Sequence, residues 1–356
     1  MKILTIVGAR PQFIKAAVIS RVIKKYSDID ERLLHTGQHY DENMSASFFN
    51  QLEIPLPYLN LNINQCLPGE MVGRILQGIE EQIIAEKPDA LLVYGDTNST
   101  LAGALAASKQ TVPLIHIEAG LRSYNMNMPE EINRVITDRI STLLFCPTQN
   151  AMKNLSKEGF DFLKMKYFLS GDVMLDATLY YKQKALLSTP EFSKELPAEF
   201  ALCTFHRSEN IDNDERLTEL VETLNLVSKN IAVVCPMHPH TEQRIRQLKL
   251  KTDFTILAPQ SYFNMIHLLD RCLLVLTDSG GLQKEAYFHK KRCICLRNET
   301  EWTELSKDNY VIVTGIDGEK VISAVAECIT HPLNFESSYY GDGTAGEFIV
   351  KQIAKM

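Results

Sequence analysis

Short apolar runs and amphipathic stretches alternate along this chain almost without a break. Residues 2–7, 32–35, 90–94, 114–117 and 143–146 are β-branched or continuously apolar. Between them, residues 11–25, 70–86, 98–108 and 131–140 carry apolar positions at helical spacing. Strands that stay apolar on both faces, separated by helices, predict a parallel sheet covered on both sides. The alternation then restarts. Residues 200–205, 231–235, 254–257, 272–277, 293–296 and 310–313 form the second set of strands. Helices near 215–227, 241–248, 262–269, 282–288 and 318–329 lie between those.

Residues 182–199 break the rhythm. They carry two prolines, serine, threonine and mixed charges, as in Ser188-Thr189-Pro190-Glu191 and Glu195-Leu196-Pro197. This composition predicts a linker between two doubly wound domains. The first domain is expected over 1–181 and the second over 200–339. A last amphipathic segment follows the turn-rich Tyr340-Gly341-Asp342-Gly343, and residues 340–356 are expected to pack back onto the first domain. In open parallel sheets, ligands bind outside the carboxyl ends of the strands. With two such sheets, the cleft between them is the expected site.

Composition narrows the function. The chain has 356 residues, 45% hydrophobic and 23% charged, with a net charge of −7 and no basic cluster. That profile gives no support to nucleic-acid binding. No apolar run approaches the ~20 residues of a membrane span, and a first strand starting at Lys2 leaves no room for a signal peptide. A cytoplasmic protein is therefore expected. Its eight cysteines read as buried thiols rather than disulfides. Cys293-Ile294-Cys295 lacks a second ligand pair, so no metal site is expected.

The loops after the strands carry the chemistry. Thr277-Asp278-Ser279-Gly280-Gly281-Leu282-Gln283-Lys284-Glu285 turns from a strand into a helix. Its glycines let backbone approach a ligand, and the first-turn N–H groups point at a negative charge. Glu285, one turn in, is placed to accept the hydroxyls of a ribose. The chain has no Gly-x-Gly-x-x-Gly fingerprint and no P-loop. The alternative is a glycine-rich turn without a ligand. Arg10 and Lys15 bracket the turn after the first strand, within reach of a phosphate, or are simply surface charges. Asp96 either caps a helix or does chemistry. Glu118 at the end of a buried strand has little structural justification. Glu130 opens a helix, where the dipole also favours an acid. Three carboxylates at equivalent strand ends raise one another's pKa and suit proton transfer. His206-Arg207 after a strand of the second set suits a phosphate or leaving group, whereas His238 and His240 read as loop residues.

As a set, these loops resemble the non-hydrolysing UDP-N-acetylglucosamine 2-epimerase family. The resemblance rests on Gly8-Ala9-Arg10-Pro11, Gln38-His39, Gly95-Asp96-Thr97, Glu118-Ala119-Gly120-Leu121-Arg122 and Pro129-Glu130-Glu131-x-Asn133-Arg134. It continues through His206-Arg207-x-Glu209-Asn210, Pro259-Gln260-x-Tyr262 and Asp278-Ser279-Gly280-Gly281-x-Gln283-x-Glu285. It implies an α/β, glycosyltransferase-B-like fold with two Rossmann-like domains, usually as a homodimer. It implies inversion at C2 of a UDP-2-acetamido sugar without NAD or another cofactor, by elimination of UDP and re-addition, in making surface polysaccharide precursors. The family's catalytic acids fall on Asp96, Glu118 and Glu130, and its catalytic histidine on His206. UDP and substrate contacts fall on Arg10, Lys15, Arg134, Arg207, Gln260, Tyr262, Ser279, Gly280, Gly281, Glu285 and Arg297.

Three departures bear on the substrate. The segment Ser123-Tyr124-Asn125-Met126-Asn127-Met128 is shorter than in plain N-acetylglucosamine enzymes, and Thr300-Glu301-Trp302-Thr303-Glu304 replaces a Thr-Glu-Arg-Pro-Glu motif. Both look like the branch acting on UDP-2,3-diacetamido-2,3-dideoxyglucuronic acid. Arg122 and Arg134, flanking the shortened segment, are candidates to meet a C6 carboxylate. Tyr40-Asp41-Glu42-Asn43-Met44 lacks the glutamines that hold an activating substrate molecule in some bacterial members. A hydrolysing 2-epimerase releasing N-acetylmannosamine and UDP, a glycosyltransferase and a non-catalytic nucleotide-sugar binder are the alternatives. Only the eliminating enzymes need Asp96, Glu118 and Glu130 together.

Overall fold

The structure is a computed structural model that describes residues 1–38, 49–187, 190–336 and 338–356. His39, the segment 40–44, Ser188 and Thr189 lie outside the described residues. The chain divides into two compact units, one of residues 1–179 with 338–356, the other of residues 180–337.

The first unit contains the strands Lys2–Val7 (β1), Asp30–His35 (β2), Leu59–Asn60 (β3), Ala90–Tyr94 (β4), Leu114–Ile117 (β5), Leu143–Cys146 (β6) and Lys166–Leu169 (β7). Its helices are Arg10–Ile23 (α1), Pro68–Glu86 (α2), Asn98–Lys109 (α3), Pro129–Ile140 (α4) and Gln149–Lys157 (α5). Val173–Ala185 (α6) follows, and the division between the units falls within it. The strands form one parallel sheet in the order β3-β2-β1-β4-β5-β6-β7. Every residue of β4 and β5 is buried, as expected for strands covered on both faces. On one face, Ile75, Ile79 and Ile83 of α2 repeat at four-residue spacing and pack with Leu4, Ile6, Leu91 and Val93. Each buried isoleucine contributes roughly 1.5–3 kcal/mol. Alanines Ala102 and Ala106 of α3 join that core, and their small size lets α3 lie close to the sheet.

The second unit contains Phe200–Thr204 (β8), Ala232–Pro236 (β9), Thr255–Leu257 (β10), Leu274–Thr277 (β11), Arg292–Cys295 (β12) and Val311–Val313 (β13). Its helices are Ser208–Ile211 (α7), Asp214–Val227 (α8), Pro239–Gln247 (α9), Tyr262–Arg271 (α10), Gly280–Phe288 (α11), Thr303–Lys307 (α12) and Gly318–Thr330 (α13). The sheet is parallel, in the order β10-β9-β8-β11-β12-β13. Six of the eight free cysteines are buried, mostly in this sheet.

The segment expected as a linker from residue 182 differs in the structure. Helix α6 runs on to Ala185, and Glu191–Lys194 form a short 3₁₀ turn. Lys182 pairs with Asp270, and the Ala185 carbonyl accepts from His267 Nε2 at 2.8 Å, so this stretch is tied to the second unit.

The last helix, Ala345–Ile353 (α14), packs on α1 within the first unit. Gly346 permits the approach, since a Cβ there would lie 2.7 Å from Val18 Cγ1. The Asp176 carboxylate accepts from the Ala345 and Gly346 amides at 3.2 and 2.8 Å and so serves the orphan donors of this helix. Burial pushes the Asp176 carboxyl up to about 6 despite those two donors. Its folded pKa thus exceeds the unfolded value of about 3.9, so protonation favours the fold. That contribution, on the order of 2–3 kcal/mol, is complete below about pH 4 and is lost as pH rises to about 6. Asp176→Asn keeps an acceptor oxygen and removes the titration. Thermal midpoints of the two proteins should therefore diverge in the variant's favour between about pH 4 and pH 6. A pH-independent difference would contradict this account.

Candidate active site

In the first sheet the chain leaves β1 toward β2 and β4 toward β5, so the loops after β1 and β4 part in opposite directions. This is the topological switch point, where an open parallel sheet leaves a crevice. Gln12 fixes its two sides. Its Oε1 accepts from the Gly8 and Ala9 amides at 2.8 and 3.0 Å, and its Nε2 donates to the Tyr94 carbonyl at 2.9 Å. Gly8 has no room for a side chain, because a Cβ would lie 2.2 Å from both Ser99 Oγ and Thr36 Oγ1.

The carboxylates sit on the next loops. Thr97 caps α3 by accepting from the Thr100 amide at 3.2 Å, so Asp96 is not needed as the cap. Asp96 instead accepts from Arg134 Nε at 3.1 Å, and Asn133 Nδ2 holds the Asp96 carbonyl at 2.9 Å. Glu118 directly follows β5, in the left-handed region, with φ 71°. A non-glycine residue there is strained by about 1–3 kcal/mol, and such strain concentrates at functional positions. Both the Glu118 and Ala119 amides donate to the Phe145 carbonyl, which holds the kink. The Glu118 carboxylate is in direct contact with Lys15 Nζ, and both side chains are largely buried. Gly95, at φ 61°, lets this pair approach the backbone: a Cβ would lie 3.1 Å from Glu118 Oε2 and 3.3 Å from Lys15 Nζ.

These contacts revise the picture of crowded carboxylates. Asp96 and Glu118 each face a cation of their own, Arg134 and Lys15. Glu130 is half-buried in the first turn of α4 and makes no hydrogen bond or ion pair among the described residues. Its neighbour Glu131, fully buried, accepts from the Ser123 and Tyr124 amides, both at 2.9 Å, and from Arg134 Nη1 at 2.6 Å. Glu131 therefore pins the shortened loop, a role the sequence did not signal. The arginines expected to meet a uronate are also committed. Arg122 is buried, donating to Asp138 at 2.7 Å and to both Glu158 oxygens at 2.6 and 2.8 Å, while Arg134 is shared by Asp96 and Glu131. Arg10 lies half-buried at the start of α1.

The second sheet repeats the logic. Its switch point lies between β8 and β11, and Asp278 stands at its centre with no exposed surface. Asp278 accepts from the His206 amide at 3.1 Å, the Arg207 amide at 3.0 Å and Asn210 Nδ2 at 3.0 Å. The His206 ring is exposed, with Nδ1 3.6 Å from Asp278 Oδ1, and Arg207 is half-buried. Ser279 caps α11, Gly280 and Gly281 open it, and Glu285 is half-buried just beyond the first turn. Gly280 leaves room for the Glu301 carboxylate, since a Cβ there would lie 2.1 Å from Glu301 Oε1 and push that side chain aside. Trp302 Nε1 donates to the Gly280 carbonyl at 2.9 Å, and Arg297 Nη1 donates to Glu301 at 3.0 Å. Gln260 accepts from Asn264 at 2.9 Å. Tyr262 is buried in an edge contact with Tyr181, which makes its ring part of the core rather than of an open surface.

A Rossmann-like sheet bearing cation-paired carboxylates, and a second bearing a glycine-opened helix N-terminus, define an α/β nucleotide-sugar enzyme of the glycosyltransferase-B-like fold. The chain belongs to the UDP-N-acetylglucosamine 2-epimerase family, whose model matches residues 21–354, and it is an isomerase. It is 48% identical, over the whole of both chains, to UDP-2,3-diacetamido-2,3-dideoxy-D-glucuronate 2-epimerase of Pseudomonas aeruginosa. The UDP-GlcNAc 2-epimerase of Methanocaldococcus jannaschii, solved in complex with UDP-GlcNAc and UDP, is 40% identical with a TM-score of 0.92 over the whole of both chains. That of Neisseria meningitidis, bound to UDP-GlcNAc, is 29% identical with a TM-score of 0.91, again over both whole chains. These likenesses do not favour a hydrolysing enzyme or a silent binder.

Proposed function

We propose that the protein inverts C2 of UDP-2,3-diacetamido-2,3-dideoxyglucuronate by eliminating and re-adding UDP. The observation that carries the substrate is the 48% identity to the Pseudomonas aeruginosa enzyme of that name, against 40% to the archaeal UDP-GlcNAc 2-epimerase. Two groups must handle a proton at C2, one on each face of the sugar. Asp96, Glu118 and Glu130 are the proposed groups. A carboxylate takes the C2 proton, the C1–oxygen bond breaks, and UDP departs with the electron pair, leaving a glycal. UDP then returns to C1 while a second acid delivers a proton to the opposite face of C2. The diphosphate's charge is met by the first-turn N–H groups of α11 beyond Ser279, by His206 and by Arg207. Glu285 takes the ribose hydroxyls, and Arg10, Gln260 and Arg297 complete the nucleotide contacts. With Arg122 and Arg134 bound to carboxylates, other groups must meet the C6 carboxylate. The family resemblance supports a homodimer working in the cytoplasm. No helix among the described residues is long and apolar enough to cross a membrane.

The test is turnover in D2O with the diacetamido uronate and with UDP-N-acetylglucosamine. The epimer should carry deuterium at C2 without added NAD, with kcat/KM higher for the uronate. A marked preference for UDP-N-acetylglucosamine would replace the substrate and leave the reaction standing. Product free of deuterium would remove the elimination route.

A further inference from the structure

His116 lies fully buried in β5, opposite Val93 of β4. Its Nε2 is 2.7 Å from the Gly95 carbonyl, and its Nδ1 is 2.7 Å from Asp138 Oδ1. A carbonyl only accepts, so Nε2 carries a hydrogen. The other oxygen of Asp138 accepts from the Gly120 amide at 3.0 Å and from Arg122 at 2.7 Å. Burial works to raise the Asp138 carboxyl, but His116 and Arg122 outweigh it and hold it below the usual carboxylate range. An ionised Asp138 facing Nδ1 requires a hydrogen there too. The two neighbours that complete the cluster are Glu158, bound bidentately to Arg122, and the Cys146 thiol, which burial pushes well up. With His116 doubly protonated, two cations and two carboxylates balance.

The positions joined are telling. Gly95 immediately precedes Asp96, and Gly120 follows Glu118 by two residues. We propose that His116 is a positioning residue: as an imidazolium bridging the Gly95 carbonyl to Asp138, which in turn holds the Gly120 amide, it sets the spacing of Asp96 and Glu118. The inference rests on the reading of those two carboxylates as the reacting groups. It joins the loops after β4 and β5 in the way that Gln12 joins those after β1 and β4.

Two measurements on the full-length protein test it. Nitrogen-15 NMR of the ring, assigned by the signal missing in His116→Gln, should show hydrogens on both nitrogens in the folded protein at neutral pH. A singly protonated ring at neutral pH overturns the proposal, whatever the substrate. His116→Gln retains a donor for Gly95 and loses the charge and the reach to Asp138; kcat should fall about a hundredfold, as expected when reacting groups shift by roughly 1 Å. UDP affinity should stay within about twofold, because all the proposed nucleotide contacts except Arg10 lie on the second sheet, and Arg10 follows β1, whose loop the His116 bridge does not join. Asp138→Asn, which keeps shape and loses charge, should behave alike and abolish the second ring hydrogen. Unchanged kcat in a folded His116→Gln, or UDP affinity falling in step with kcat, counts against positioning. If Asp96→Asn and Glu118→Gln proved fully active while the ring was doubly protonated, the reading of the carboxylates would fail and the bridge would stand.

Discussion

Replacing one oxygen by one nitrogen in Glu118→Gln is expected to lower kcat by about a hundred- to ten-thousandfold, the range of a general acid or base. Asp96→Asn should do the same. Both changes keep the size of the side chain and its ability to accept one hydrogen bond. What they remove is the negative charge and the capacity to take a proton. The structure adds a second consequence. Lys15 is largely buried and its ammonium contacts the Glu118 carboxylate, so neutralising Glu118 leaves a buried cation with a weaker partner. Breaking a buried pair by deleting one member costs roughly 3–5 kcal/mol, and the amide that remains reduces that loss. Asp96 is more exposed than Glu118, so Asp96→Asn should be the milder change for stability and equally severe for turnover. The measurements are kcat with exchange of deuterium into C2, together with the thermal midpoint of each variant. A folded variant with kcat within about tenfold of the parent would show that its carboxylate only balances its cation.

The strand-helix alternation was legible because both sheets are parallel and buried on both faces, which forces continuous apolar runs at β1, β4, β5, β8, β11 and β12. Elements that lack this constraint were not. Strand β7 is an edge strand reading Lys166-Tyr167-Phe168-Leu169 with no fully buried residue, and β3 is only two residues long. Helix α5 is short and polar, with Ala151 and Leu155 as its buried residues. Helix α6 carries a weak amphipathic pattern and was absorbed into the approach to a linker.

At the site, the loops were legible through residue types that a fold alone does not require, such as a glutamate ending a buried strand. Pairing was not. Arg134 with Asp96, Lys15 with Glu118 and Arg122 with Asp138 and Glu158 join residues from 16 to 103 positions apart, and no local pattern announces them. The left-handed backbone of Glu118 was equally hidden, since nothing in Ile117-Glu118-Ala119 marks it. The Gln12 clamp had a signal only in hindsight: a glutamine three residues into a helix that starts at a strand end can reach back to its own loop, as in a capping box.

Asp278 carries the prediction with the largest expected effect on the second sheet. Its carboxylate is fully buried and gathers the amides of His206 and Arg207 and the Asn210 side chain. Asn210 is bound in turn, its oxygen accepting from Arg216 Nη2 at 2.9 Å. Asp278→Ala would leave three buried or half-buried donors without their acceptor. An orphaned donor costs about 1–3 kcal/mol, and the costs within one network do not add fully, so a loss of roughly 3–5 kcal/mol is expected. Asp278→Asn is the control. The three donors converge on one oxygen, Oδ2, so the amide oxygen can keep them; only the negative charge and the second contact of the His206 amide, to Oδ1 at 3.2 Å, are lost, and about 1–2 kcal/mol should go with them. Ser279→Ala, one residue on, removes only the cap of α11 and should cost about 1 kcal/mol. Hydrogen exchange locates the damage: in Asp278→Ala the His206 and Arg207 amides should lose protection, while those of β8 and β11 keep it. His206 then loses its fixed place, and kcat should fall with the stability. Full protection of those two amides together with normal kcat would show that Asp278 is a replaceable core acceptor and that the loop is held by its neighbours.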